Sequence, residues 1–217
     1  MAADRNAGVT FAPMTEATHH ARGYCCGNRC RHCPYEYAGV VDYPTPALPT
    51  HVRRATPTDV PALVPLARQT FAAAYIDYQE DVANNFLPYL ERAFTPAVFA
   101  KALLDDAQAW WVAEDAEGRP WGYAVAQETP DSAYGKLMLK RLYVRRQARG
   151  LGLGRALLDA VEAFAKTHDA GAAWLETYVG APALAAFYVP NGYVRVGTDH
   201  WTLGTQRFEV AVMAAAV

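Results

Sequence analysis

The run Arg149-Gly150-Leu151-Gly152-Leu153-Gly154-Arg155 stands between a strand-like segment, Leu137 to Val144, and a helix-like one, Arg155 to Lys166. Glycines at such a junction let the backbone curl tightly, so that several N–H groups converge on one concavity. The dipole of the following helix adds partial positive charge there. The chemistry this predicts is capture of an anion, a phosphate or pyrophosphate. A second group of reactive side chains is far away: all four cysteines lie between Cys25 and Cys33. Cys30-x-x-Cys33 is a knuckle that sets two thiolates on one metal, with Cys26 and either Cys25 or a histidine completing a tetrahedron. Cys25, Cys26, Cys30 and Cys33 are thus the candidate ligands for zinc. An iron–sulfur cluster uses the same four thiolates, and a reduced, metal-free segment is the third reading.

Spacing narrows the phosphate ligand. A Walker loop requires Lys and then Ser or Thr after its last glycine, and neither follows Gly154. A dinucleotide fingerprint counted from Gly150 and Gly152 needs its third glycine where Arg155 stands. What remains is Arg-x-x-Gly-x-Gly on Arg149, Gly152 and Gly154. With Leu142-Tyr143-Val144 before it and Ala156-Leu157-Leu158 after it, the run resembles the acyl-CoA motif of the GNAT N-acetyltransferase superfamily.

The elements that must position this loop follow from periodicity. His51 to Ala55 reads as a strand, and Asp59 as the cap of a helix through Leu63, Leu66 and Phe71. A second helix is expected over Glu80 to Phe94, and Thr95-Pro96 starts a short third. Trp110 to Ala113 and Trp121 to Ala126 read as strands flanking a turn at Glu117-Gly118. Lys136 to Val144 leads into the glycine loop and its helix. Ala173 to Tyr178, a helix near Pro182 to Tyr188, then Tyr193 to Val196 and Phe208 to Met213 complete the set. The expected class is α/β, a mixed and mostly antiparallel sheet flanked by helices. The order β–α–α–β–β–β–α–β–α–β–β resembles that of the GNAT fold. The resemblance implies that the fourth and fifth strands splay and that the pantetheine arm of acetyl-CoA inserts between them. The backbone of Leu142, Tyr143 and Val144 would then pair with its amides. The N–H groups of Gly150, Leu151, Gly152, Leu153, Gly154 and Arg155 would hold its pyrophosphate.

Acetyl transfer to an amine needs a base to free the nucleophile's lone pair and an acid to protonate the departing thiolate. Tyr188, in Ala185-Ala186-Phe187-Tyr188, resembles the superfamily's phenylalanine–tyrosine segment, which implies the general acid. A phenol with an ordinary pKa of ~10 holds its proton at neutral pH. Glu176, in Trp174-Leu175-Glu176-Thr177-Tyr178, is a carboxylate in an otherwise apolar strand, where burial raises its pKa toward a useful range. Glu176 and Tyr188, at that spacing, look like the acid–base pair of bacterial ribosomal-protein N-terminal alanine acetyltransferases. A water chain is the alternative base. Ala181 stands where family members usually carry an asparagine.

Arg141 to Val144, the glycine run and His200-Trp201-Thr202-Leu203-Gly204 are similar to bacterial spermidine/spermine acetyltransferases of the PaiA kind. Glu80, Asp81 and His200 are the substrate-side candidates that this implies. Thr205 and Val210 stand where that subgroup is usually acidic. The segment from Gly23 to Tyr35 is similar to a short uncharacterised bacterial domain with a Cys-Cys-Gly-Asn-x-Cys-Arg-His-Cys-Pro signature.

At 217 residues and 52% hydrophobic content, the chain has ample material for one packed domain plus an appendage. A formal charge of −2 excludes a basic nucleic-acid footprint. No apolar run approaches the ~20 residues that span a bilayer, and Met1 to Thr18 lacks the core of a secretory signal. The expectation is a cytoplasmic enzyme with acetyl-CoA as cosubstrate and a small amine or peptide as acceptor. A homodimer is left open. The proline-rich stretch Tyr43 to Thr50 divides the chain into a Cys-rich module (1–42), a linker (43–50) and an acetyltransferase domain (51–217). The rival reading is a non-catalytic acyl-CoA-binding or sensing module attached to a metal or redox segment.

Overall fold

The computed structural model describes residues 33–36, 44–81 and 84–217. A seven-stranded sheet has the order β1-β2-β3-β4-β5-β7-β6, comprising β1 (His51–Arg54), β2 (Gln108–Glu114), β3 (Pro120–Glu128), β4 (Leu137–Val144), β5 (Ala172–Tyr178), β6 (Val194–Leu203) and β7 (Gln206–Ala216). Every neighbouring pair is antiparallel except β4–β5. Helices α1 (Val60–Tyr75), α2 (Phe86–Ala93) and α3 (Pro96–Leu103) lie between β1 and β2. Helix α4 (Leu153–Thr167) joins β4 to β5, and α5 (Pro182–Tyr188) follows β5. The expected GNAT-type α/β architecture is present, with the short third helix in place.

The central strands read as unbroken apolar runs because both faces are covered. Trp111, Ala124 and Leu139 face Leu157, Leu158 and Val161 of α4. Their neighbours Trp110, Tyr123 and Val125 face Leu63, Leu66 and Phe71 of α1 and Phe86, Leu90 and Phe99 of α2 and α3. Helix α1 buries Leu63, Leu66, Ala67, Thr70 and Phe71, the stripe that a 3.6-residue period puts on one side. Thr95 caps α3 by accepting from the Val98 amide. Asp59 does something else. Its carboxylate, held down to about 2 chiefly by Arg53, forms an ion pair with that guanidinium, which also grips Glu114. Arg53 thereby fastens β1, the entry to α1 and β2 together.

Three expectations need correction. Helix α2 begins at Phe86, not Glu80, because Asp81 takes a left-handed backbone (φ +45°) and its carboxylate accepts from Asn84 Nδ2, closing a local turn. Asn85 then accepts from the Thr205 amide at 3.0 Å, which ties this turn to the β6–β7 hairpin. β6 and β7 also run well beyond the expected segments, to Leu203 and from Gln206 to Ala216.

The proline-rich stretch is anchored where the structure describes it. Pro46 is buried, and the Ala47 carbonyl accepts from the Ala116 amide. The Ala47 amide donates to Asp115 at 3.2 Å. Asp115 has no exposed surface. Its carboxylate also accepts from Trp121 Nε1 (2.8 Å), the Glu117 and Arg119 amides (3.0 Å each) and Arg119 Nε (3.2 Å). Burial opposes ionisation, but this set of donors outweighs it and holds the carboxyl well below its ordinary value. Asp115→Ala, which strands these donors, is expected to destabilise the fold by about 2–3 kcal/mol, read as a lower denaturation midpoint at unchanged slope. A depressed folded pKa contributes stability above the unfolded value of ~3.9 and loses it as pH falls further. The variant should therefore lose less stability below about pH 4 than the native chain.

Candidate active site

The parallel β4–β5 ladder consists of Leu137 opposite Ala173 and Met138 opposite Trp174. Beyond it the strands part. The cause lies in β4: its register against β3 steps from Arg141 opposite Val125 to Leu139 opposite Ala126, so Lys140 is an extra residue. Such a bulge bends its strand and increases twist. The β5-facing backbone of Leu142 to Val144 is left out of the ladder, and a cleft of about 640 Å³ opens beside it.

The glycine loop closes one end of the cleft. Gly150 and Gly152 are left-handed (φ +80° and +82°), and an added Cβ at either would meet nothing within 4 Å. Both glycines are thus required by backbone geometry, and the space over them is open. Gly154 is there for another reason, since a Cβ would lie 3.2 Å from the Phe187 ring of α5. The first amides of α4 have no partner within the helix. The loop's turn, these amides and the unpaired β4 edge together fit a phosphate-bearing, amide-bearing arm such as that of coenzyme A.

Gly150, Gly152, Gly154, Arg149, Arg155, Leu142, Tyr143 and Val144 all line this cleft. Leu153 is buried in the core and Leu151 points outward, so these two offer only backbone. The Arg155 guanidinium is occupied by Asp159, Glu162 and Asn191. The Val144 carbonyl already accepts from Arg149 Nε at 3.1 Å.

Glu176 and Tyr188 line the same cleft. Burial, followed by the nearby Asp199 carboxylate, raises Glu176 above the ordinary carboxylate value. Burial, reinforced by the Tyr75 and Tyr193 phenols, pushes the Tyr188 hydroxyl up. Glu80, Asp81 and His200 do not line the cleft. Directly opposed residues share a sheet face. The registers Glu176–Val212–Gly197 and Tyr178–Val210–Asp199 therefore put Asp199 on the face of Glu176, while His200, opposite Glu209, lies on the other. Cys25, Cys26 and Cys30 lie outside the described residues. Cys33 is buried, its carbonyl accepting from Gln69 Nε2 at 3.2 Å. Among the described residues no cluster of three or more metal-ligating side chains occurs, and no helix is long and apolar enough to cross a membrane.

Sequence reasoning missed Tyr75, which lines the cleft from α1, although its position one turn after Phe71 was a usable signal. It also missed Asp199 and the ring wall beside it. Tyr75 meets Trp201 at 5.7 Å, Tyr78 meets Tyr178 at 5.4 Å, and Trp201 stacks on Phe208 at 4.5 Å.

Comparison with known proteins gives the family and the fold. The model of the acetyltransferase (GNAT) family matches residues 71–193, more than half of the chain. A family of unknown function, DUF5522, matches residues 9–39. Among solved structures, the PaiA N-acetyltransferase of Thermoplasma acidophilum in complex with coenzyme A is 16% identical, with 78% of this chain and 100% of that one covered at a TM-score of 0.66. The ribosomal-protein-S18-alanine N-acetyltransferase of Escherichia coli is 18% identical, over 78% and 94%, at 0.56. A chimera of the Vibrio cholerae spermidine N-acetyltransferase SpeG with hSSAT is 15% identical, over 77% and 95%, at 0.57. At these identities the structures speak for the fold alone. The chain belongs to the GNAT family of acetyltransferases.

Gly152→Asp places a carboxylate in the open concavity of the glycine loop on a left-handed backbone. It is expected to remove nearly all coenzyme A binding from a chain that remains folded. Calorimetric titration with circular dichroism as the folding control checks this, and unchanged affinity would sink the loop's assignment.

Proposed function

We propose that this chain acetylates a primary amine by direct attack, with residues 51–217 as the catalytic domain and residues 1–42 as a Cys-rich module whose described turn, 33–36, rests on that domain. The observation that carries the reading is convergence: the glycine loop, the unpaired β4 edge, Glu176 and Tyr188 all line one cleft. Acetyl-CoA, when bound, supplies an activated acyl carbon and a thiolate leaving group. Arg149 and the amides of Gly150 to Arg155 would hold its phosphates, and the backbone of Leu142 to Val144 would orient its arm. Direct attack is favoured over an acyl-enzyme because no cysteine lies beyond Cys33.

In this scheme Glu176 takes the proton from the incoming ammonium. Burial and then the Asp199 carboxylate raise its pKa, which strengthens it as a base. Tyr188 keeps its proton at neutral pH and serves as the acid for the departing sulfur. The acceptor is best read as a small cationic amine. Two carboxylates, Glu176 and Asp199, attract positive charge, and the aromatic rings alongside favour a cation over their faces. The spermidine acetyltransferase among the neighbours agrees with a small amine, whereas the S18-alanine enzyme represents the peptide alternative. An assay of thiol release over polyamines, aminoglycosides, amino acids and peptides decides between them. A preference for neutral peptide N-termini would overturn the cationic-amine reading.

Tyr188→Phe should lower kcat by ~10- to 100-fold while acetyl-CoA affinity stays nearly intact, because water partly replaces a general acid in an open site. Asp199→Asn removes the like charge beside Glu176, so the carboxyl should titrate lower and the acid limb of the rate profile should move to lower pH. Glu176→Gln should abolish that limb. A native-like pH profile in Glu176→Gln would exclude the residue as base.

A further inference from the structure

The short turn at residues 33–36 lies against the cofactor loop. Glu36 is 3% exposed. Its carboxylate accepts from Arg149 Nη2 at 3.0 Å and from the Arg146 amide at 3.2 Å, and its carbonyl accepts from Gln147 Nε2. The other end of the turn is held by Gln69 of α1 through the Cys33 carbonyl, and Tyr35 packs against the α1–α3 core. Two costs meet at Glu36, a carboxylate taken out of water and a left-handed backbone of φ +48°. Outliers of this kind persist when the surroundings over-determine them and gather at functional sites. The cationic groups around it are Arg145, Arg146 and Arg149. Of the two arginines flanking the glycines, Arg155 is committed to Asp159 and Glu162. Arg149 is therefore the flanking guanidinium positioned to meet a phosphate in the cleft, and Glu36 already holds it.

We propose that Glu36 is a built-in counter-anion of the cofactor loop, competing with the phosphates of coenzyme A for Arg149, so that the N-terminal segment sets how tightly the catalytic domain holds its acyl donor. The inference rests on the reading that residues 149–155 bind those phosphates. A carboxylate and a phosphate oxygen are interchangeable acceptors for a guanidinium fork, so one must yield, or share the fork, when the other arrives. By linkage, a change in the N-terminal segment that withdraws Glu36 would tighten binding, and bound coenzyme A would loosen the turn.

The test is calorimetric titration of the full chain with coenzyme A, and with inorganic pyrophosphate as the minimal probe. Glu36→Gln keeps the shape and neutral hydrogen bonds but removes the charge. It is expected to tighten both ligands about 5- to 10-fold, as loss of one half-screened competing anion allows. That gain should shrink as salt is raised. In an Arg149→Gln background, Glu36→Gln should give no gain, which a merely structural role would not explain. Glu36→Asp, whose shorter side chain withdraws the charge from Arg149, should fall between and serves if Glu36→Gln does not fold. Unchanged or weaker binding by folded Glu36→Gln, or a gain that survives Arg149→Gln, would overturn the proposal. Normal coenzyme A binding by Gly152→Asp would instead show that the loop itself had been misread, so the two failures are distinguishable.

Discussion

Two residue pairs, Leu137 with Ala173 and Met138 with Trp174, are all that joins β4 to β5, and the rest of the molecule is arranged around that short joint. The bulge at Lys140 ends the ladder, so the two halves of the sheet must be held by other means. One is the apolar core beneath, where Leu137 and Leu139 from one half and Leu175 and Met213 from the other pack with α4. Another is a polar and aromatic staple above the joint. Trp174 Nε1 donates to Thr129 Oγ1 at 3.0 Å, and the Tyr134 ring lies 5.5 Å from Trp174. The opening survives because both of its rims are pinned.

Charge is arranged as economically as backbone. The sheet gap lets groups from opposite faces meet in one cleft, with Glu176 on the α1 side and Tyr188 packed on the α4 side. Asp199 sits on the face of Glu176, whose pKa burial and then Asp199 raise, while the loop carries Arg149.

What could be read from the sequence was local. Glycines with positive φ, a Thr-Pro helix entry and strands buried on both faces each leave a mark within a few residues, and the glycine turn and nearly every element followed from such marks. The start of α2 did not, because Glu80 to Asn85 looks helix-compatible until Asp81 turns left-handed. The face of His200 was illegible for a different reason. The register shift between Arg195 and Gly197 reverses the parity of everything after it in β6. Glu36 was least visible, since its partner Arg149 is 113 residues away and neither residue carries a local signal of the other.

The contact between Ala47 and Asp115 has a practical meaning for anyone who divides this chain. Composition suggests a free spacer from Tyr43 to Thr50, and a boundary drawn at its end would look harmless. Yet the Ala47 amide is one of the donors that keep a buried carboxylate ionised, and its carbonyl continues the hydrogen bonding of the β2–β3 hairpin through Ala116. Excising the stretch would leave an under-solvated charge at the hairpin's end. The hydrogen bonding that completes the β2–β3 hairpin therefore reaches back to Ala47, inside the segment that composition assigns to the linker.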